Sequence, residues 1–428
     1  MPGIDQQEEN IMIFRTLVLG LMLAGAGLSA ATAFAADNVK IAIIDPLSGP
    51  FANVGEAMVR YTTLAADAIN ARGGVLGGAK FEVIALDSKS SPQEAQLALK
   101  AAIDQGVRYI NQSNGSNVAG ALVDAVNKHN ERNPDKTVVY LNTGAVDPAL
   151  TNDRCSFWHF RFDADADMKM AALTDAIAQN PNNKKVYLLN QDYAFGQAVA
   201  RAAKEMLPKK RPDIQIVGDE LHPLGKIKDF SPYVAKIKAT GADTVITGNW
   251  GNDMTLLVKA SREAGFTPDF YTYYAGGLGS PPSLGDAGLG HLKQVTQWHA
   301  NIGNEKVTRH YQAYRERYKD VKDDYYWTTQ YLALEMLAKA MDQAKSVDPV
   351  KVAKALEGMK FEGDSGEVMM RADNHQLIQP LYVSTYNKVD GKEVKLDVER
   401  TGNGFKTDRR VEGKDTVMPT TCKMERPN

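Results

Sequence analysis

The feature that most restricts the fold is an alternation: short apolar runs of strand character recur along the chain, each followed by a longer stretch with helical spacing. The runs are VKIAIID, FEVIALD, VRYINQS, TVVYLNTG, KVYLLNQ, IQIVGDE and ADTVITGNW. Runs this apolar suit strands buried on both faces, and intervening helices supply the crossovers that parallel strands need. The expected class is therefore α/β, with parallel central sheets covered by helices. GEAMVRYTTLAADAINARGGVLGG illustrates the helical half: Met58, Tyr61, Leu64, Ala65, Ala68 and Ile69 recur at helical spacing, and Gly73-Gly74 stops the helix.

The alternation breaks twice. One break falls at DRCSFWHFRFDADADM, after which a second strand–helix series begins. Another falls at FYTYYAGGLGSPPSLGDAGLG, rich in Gly and Pro and without periodicity. Two similar lobes joined by more than one crossover account for this better than two domains strung in line. Beyond Gly366, alternating patterns with turn signals at Ala372-Asp373-Asn374 and Asp390-Gly391 predict a hairpin or meander packed on one lobe.

Near the N-terminus come Arg15, an apolar run from Leu17 to Leu28, and Ala33-Phe34-Ala35. That is the order of a secretory signal over residues 1–35, cleaved near Ala35. The alternative, an anchor helix, suits so short and Ala/Gly-rich a run poorly. The acidic DQQEEN ahead of Met12 does not suit a signal's first region, which makes Met12 an alternative start. Export permits a disulfide, and the chain has two cysteines, Cys155 and Cys422. We expect a bridge that ties the C-terminal tail to the middle of the chain; two free thiols are the alternative, because proximity is not legible in sequence.

A net charge of −2 over 428 residues, with no clustered basic stretch, excludes a nucleic-acid footprint. Catalytic and metal-binding patterns are also missing. GGVLGGAK lacks the Lys-Ser/Thr end of a phosphate loop, no serine (Ser116 in SNGSN included) sits in Gly-x-Ser-x-Gly, and the seven histidines form no ligand pair. Asp163, Asp165 and Asp167 imitate the start of a calcium loop but lack its Gly and distal Glu, so a solvated helix start is the simpler reading. No enzymatic activity, cofactor or metal is expected.

Taken in order, VKIAIIDPLSGPFANVGEAM, AADAINARGGVLGGAKFEVIALDSKSSPQEA, GVRYINQSNGSNVAGALVDAV, VVYLNTGAVDPALT, LLNQDYAFGQ and KATGADTVITGNWGNDMTLLVKASREAGF resemble the type I periplasmic binding proteins of the leucine/isoleucine/valine-binding group. The likeness runs over nearly the whole mature chain. It implies two Rossmann-like lobes joined by a three-strand hinge, with a ligand closed between them. The lobes would be residues 36–156 plus about 279–370, and 157–278 plus about 371–428. The implied role is the periplasmic, solute-binding component of an ABC importer, a monomer that presents its closed form to a membrane permease.

The resemblance also assigns residues to the cleft. Ser116 matches a carboxylate-binding serine, with a simple helix N-cap as its alternative. Gly144 and Ala145 match the loop that offers backbone groups to the ligand's polar head, and Asp253 matches the acid that holds an ammonium group. Tyr193 or Phe195 matches the aromatic that closes from the second lobe, and Trp250 stands where the family has a tyrosine. Tyr274 and Trp298 would add aromatic area.

Three features depart from the pattern. Val146 replaces a threonine hydroxyl, Val54 replaces an aromatic in the first turn, and Ser90 and Gly115 stand where the branched-chain binders have a first-lobe disulfide. Losing the hydroxyl removes a hydrogen bond to an amino acid's head group, which disfavours plain leucine or valine. The implied ligand is another amino acid, with an aromatic carboxylate or an amide as the alternative. A sensory module shares this fold but needs a membrane helix and a signalling domain after the lobes, and an exported enzyme needs the missing catalytic constellation.

Overall fold

In the computed structural model, which describes residues 38–320, 324 and 327–427, the first apolar run becomes β1 (Val39–Asp45). It pairs in parallel with β2 (Phe81–Asp87) on one side and β3 (Tyr109–Gln112) on the other. With β4 (Val139–Asn142) and β5 (His159–Arg161) these make a five-stranded parallel sheet, ordered β2-β1-β3-β4-β5. Beyond it come β6 (Lys185–Gln191), β7 (Gln215–His222), β8 (Thr244–Thr247), β9 (Asp269–Thr272) and β10 (Leu292–Thr296), all parallel. A small sheet of β11 (Lys360–Gly363), β12 (Gly366–Met370) and β13 (Leu377–Ile378) follows, then the hairpin β14 (Leu381–Lys388) and β15 (Asn403–Val411). The hairpin adds antiparallel to β10, giving a seven-stranded second sheet ordered β15-β14-β10-β9-β8-β6-β7. The fold is α/β with two lobes, and the expected signal segment lies outside the described residues.

Helices cover both faces of each sheet, as buried strand runs require. On the first sheet these are α1 (Ala52–Ala71) on one face, and α2 (Pro92–Asp104) and α3 (Ser116–Arg132) on the other. On the second sheet, α4 (Ala166–Gln179) and α5 (Ala194–Lys210) cover one face, and α6 (Ser231–Ala239) and α7 (Gly251–Glu263) the other. After a short α8 (Ser280–Leu284), α9 (Glu305–Arg317), α10 (Thr328–Ala344) and α11 (Pro349–Leu356) return to the first lobe. Among the described residues no helix is long and apolar enough to cross a membrane.

The chain crosses between the lobes after β5, after β10 and between β13 and β14. These positions differ from the expected boundaries. β5 stays in the first sheet although it lies beyond residue 156, and β10 joins the second sheet although it follows residue 279. The reason is ladder bonding by a stretch whose Gly and Pro masked it: FYT closes β9, and β10 pairs beside it. Arg161 knots the first crossover from full burial, donating to Asp147 O (2.6 Å), Gln376 Oε1 (2.6 Å), Asp165 Oδ2 (3.1 Å) and the Thr151 hydroxyl. The acidic triplet is absorbed here: Asp163 pairs with buried Lys169 (2.7 Å), Asp165 caps α4 at Met168 N (2.8 Å), and Asp167 pairs with Arg201 (2.5 Å).

A further link runs through the tail. Beyond β15 it returns across the crossovers, where Arg371 Nη1 donates to Met418 O (2.7 Å) and Thr420 Oγ1 to Thr151 O (3.0 Å). Cys422 is bonded to Cys155, with Cα atoms 5.6 Å apart, so the edge of the second sheet is covalently tied to a first-lobe loop.

The β14–β15 loop carries Glu399, which is buried and accepts from Gly279 N at 2.8 Å. Burial pushes this carboxyl up to about 8. A carboxyl whose proton is held more tightly in the folded state contributes stability that is complete below its unfolded pKa and is lost as the pH rises through the folded value. Between pH 6.5 and 8, folding stability should therefore fall by about 1–2 kcal/mol through this group. In urea unfolding across that range, Glu399→Gln should flatten the decline; an unchanged slope would clear Glu399 of it.

Candidate functional site

A cavity opens where the C-terminal ends of strands from both sheets converge, the usual ligand position in open α/β folds. The first lobe contributes Val54 and Met58 from α1, the loop Ser113-Asn114-Gly115-Ser116 between β3 and α3, and Gly144, Ala145 and Val146 after β4. The second lobe contributes Tyr193 and Phe195 at the start of α5, Trp250 and Gly251 at the start of α7, and Tyr274, Gly277 and Leu278 after β9. Trp327, just before α10, closes one side. The centres of water-sized spheres have about 60 Å³ to move in. One water needs roughly 10–15 Å³ on that measure, so the space suits a ligand of amino-acid or single-ring size.

Eight of the expected ligand residues thus surround one space: Val54, Ser116, Gly144, Ala145, Val146, Tyr193, Phe195 and Trp250. Their bonding differs from expectation in two places. Gly115, at φ 93°, occupies the N-cap position, and Ser116 is the first helical residue; its Oγ accepts from Asp147 N at 3.3 Å, leaving its own proton to be donated. The N–H groups of Gly144 and Ala145 already donate to Asn142 Oδ1, at 3.2 and 2.8 Å. They shape the wall, then, without offering those donors to a ligand. A Cβ on Gly144 would come within 2.4 Å of Ser113 Oγ, so a side chain there would displace that hydroxyl.

The rest of the lining is aromatic. Trp250 Nε1 donates to Tyr193 Oη at 2.7 Å, which fixes both rings. Phe195 meets Tyr273 and Tyr274 edge-on, with centroids 5.4 and 5.9 Å apart. Trp298 does not reach this space; it packs edge-on against Tyr311 at 5.7 Å, and Trp327 stands in the aromatic wall instead. Lys169 Nζ lies 4.9 Å from the Tyr274 centroid, outside the lining, with its charge balanced by Asp163.

Asp253 does not line the cavity either. It is buried in the first turn of α7, where its Oδ2 accepts from Gln191 Nε2 (2.7 Å) and Gly225 N (2.9 Å). Two donors from its own lobe hold this oxygen. Its Oδ1 has no hydrogen-bond partner. Among the described residues, none in the cavity lining carries a charge.

The lobes are latched beside the cavity by Phe51, which follows β1. Its ring stacks on Trp250 at 4.3 Å and lies over two glycines of the second lobe: a Cβ on Gly225 or Gly251 would come within 2.9 or 2.8 Å of it. Both glycines have left-handed backbone, φ 66° and 57°, which other residues adopt only at a cost. Asn252 Nδ2 adds a bond to Pro50 O at 2.9 Å. An aromatic pair contributes about 0.5–1.5 kcal/mol beyond area burial. Phe51→Ala should therefore weaken ligand binding by up to about tenfold; a dissociation constant equal to that of the parent protein would remove Phe51 from the latch.

The sequence profile of the periplasmic binding proteins matches residues 38–392. Over 96% of its length the chain is 32% identical to a Leu/Ile/Val-binding protein homolog of Brucella melitensis, 98% of which is covered. A leucine-, isoleucine-, valine-, threonine- and alanine-binding protein from Brucella ovis, solved in a closed conformation, superposes with a TM-score of 0.79 at 30% identity, covering 91% of this chain and all (100%) of that one. An ABC-transporter solute-binding protein from Rhodopseudomonas palustris, solved with 3,4-dihydroxybenzoic acid, shares the fold with a TM-score of 0.73 at 20% identity, covering 88% of this chain and 98% of that one.

Proposed function

The chain belongs to the periplasmic binding protein family, and from that premise we propose that it is an exported receptor whose lobes close on one small carboxylate with an uncharged, ring-sized remainder and deliver it to an ABC permease. The observation that carries this reading is the contrast within the cavity. At one end are the Ser113 and Ser116 hydroxyls and the open first turn of α3; around the rest stand Tyr193, Phe195, Trp250, Tyr274 and Trp327; among the described residues no acid lines it. Donors at a helix start favour an anion. An ammonium group closed into the same space would lose its water without gaining a counter-charge, a cost of several kcal/mol. Val54 and Val146 leave an apolar wall for a ring. In this assignment Ser116 donates to the carboxylate, and Gly144 and Ala145 define its seat by shape.

One observation favours a second reading, an amino-acid ligand. Asp253 Oδ1 is buried without a partner in the helix that begins with the cavity-lining Gly251, and the relative at 30% identity is by name a leucine-, isoleucine-, valine-, threonine- and alanine-binding protein. In that case Asp253 would have to leave Gln191 and turn towards the cleft.

A thermal-shift panel on protein refolded once, to strip carried-over ligand, separates the two. A ligand at a hundred times its dissociation constant stabilises the folded form by about 2.7 kcal/mol. Benzoate and its hydroxylated forms should raise the melting temperature while leucine, threonine and benzamide leave it in place. A shift with amino acids alone would replace the first reading with the second.

A further inference from the structure

Behind the polar end of the cavity lies a carboxyl group that the ligand would not touch. Asp45, the last residue of β1, is fully buried. Its Oδ1 accepts from Asn114 N at 2.8 Å and from Asn114 Nδ2 and Ser113 N at 3.2 Å, and its Oδ2 shares Ser113 N, also at 3.2 Å. Ser113 and Asn114 are themselves cavity-lining residues. The N–H groups of the loop that offers its hydroxyls and helix start to a ligand are thus pinned from behind by Asp45, while Gln112 Nε2 holds the Asn114 carbonyl at 2.5 Å.

Among the described residues, the surroundings of Asp45 hold no counter-charge. Its register partner on β2 is Asp87, which is turned to Leu47 N (2.8 Å), the Ser48 hydroxyl (2.6 Å) and Lys89 N (2.8 Å). Lys89 itself pairs with Glu94 at 3.1 Å. From β4 the nearby titratable group is Tyr140, whose hydroxyl donates to Gln112 Oε1 and whose own ionisation is opposed by burial and by Asp45. The loop and β3 contribute amides and hydroxyls only, and among the described residues no lysine, arginine or histidine pairs with Asp45.

We infer that Asp45 is the positioning residue of the carboxylate seat and that it couples ligand capture to proton uptake: a carboxylate arriving on the cavity side of Ser113–Ser116 faces the Asp45 charge across one loop, and the pair is relieved when Asp45 takes a proton from water. This rests on the carboxylate reading above. The balance is simple: Asp45 carboxylate, one proton and the ligand anion give a neutral Asp45 carboxyl and a bound anion, with no bond broken elsewhere. Desolvation already pushes Asp45 up to about 7, so the coupling falls in the neutral range. A bound anion raises it further, and affinity for a carboxylate then increases as the pH falls.

Benzoate serves as the probe, titrated calorimetrically from pH 5.5 to 8.5 in two buffers of different ionisation enthalpy. The parent protein should bind about 2.5- to 5-fold more tightly at pH 6 than at pH 8, as expected for a shift of half to one pKa unit from about 7, with net proton uptake near pH 7. Asp45→Asn keeps an acceptor for Asn114 N but loses the charge, so its affinity should be independent of pH and its proton uptake nil. Asp45→Leu frees the loop and should bind poorly at every pH, with Asn as the conservative rescue. Benzoate binding by the parent with no pH dependence, or the same dependence in Asp45→Asn, overturns the inference and leaves the receptor reading in place. If neither the parent nor a variant binds benzoate or another ring carboxylate at any pH, the ring-carboxylate reading itself fails, and the inference falls with it.

Discussion

Gly55→Ala and Gly196→Ala should each destabilise the protein by about 1–3 kcal/mol or more, even though both lie inside helices, where alanine normally stabilises by roughly 0.5–1 kcal/mol over glycine. The sign reverses because each helix start is pressed against the strand end that precedes it. A Cβ on Gly55 would lie 1.8 Å from Pro46 O, and one on Gly196 would lie 1.8 Å from Gln191 O. No rotamer relieves a clash with backbone, so α1 or α5 must move away from its own sheet. Val54 and Phe195, the residues just before these glycines, line the cavity and would move with them. Chemical denaturation should record the loss, and benzoate affinity should fall in both variants. A neutral or stabilising effect would mean that the two helices do not seat as described. The same device at corresponding points of the two lobes is also the clearest trace of their internal likeness, SGPFANVGEAM in one and NQDYAFGQAV in the other.

The second large effect concerns the tail. Cys155 and Cys422 are 267 residues apart in sequence, so the bridge closes a very long loop in the unfolded chain. Removing such a bridge typically costs about 2–4 kcal/mol, whether the mechanism is unfolded-state entropy or lost native contacts. Here it also joins the second-sheet edge to the first lobe, alongside Thr420 to Thr151 and Thr421 to Asn152 (3.2 Å). Cys155→Ser with Cys422→Ser should lower the unfolding free energy by that amount. An unchanged midpoint under non-reducing conditions would show that the tail contributes little beyond its own contacts.

The fold was legible wherever a strand announced itself as an apolar run. β1, β2, β4, β6 and β8 lie where composition puts them, and α1 reaches Ala71 just ahead of the Gly73-Gly74 stop. β9 and β10 were not legible, because Gly276 to Gly290 interrupts them with turns and a short proline-bearing helix. In the cleft, residues at strand ends were within reach, since strand-to-helix turns face the ligand in any fold of this class. The donors of Gly144 and Ala145 carried a readable warning: Asn142 stands two and three residues ahead, the spacing at which an asparagine side chain captures backbone N–H groups. Trp327, Asp45 and the retreat of Asp253 had no local signal. Trp327 enters the cavity on a return from the second crossover, Asp45 meets the loop 69 residues away, and Asp253 is held by Gln191, 62 residues distant. Long-range partners of this kind decide which of a cleft's residues face the ligand.

The measurement that tests the central claim most directly is the pair of dissociation constants for benzoate and benzamide, the same ring with and without an anionic head. Benzoate should bind at least tenfold more tightly, a difference of about 1.4 kcal/mol, and Ser116→Ala should erase most of that preference. Equal affinity for the two, or a preference for the amide, would contradict a cavity built to hold a carboxylate at the start of α3.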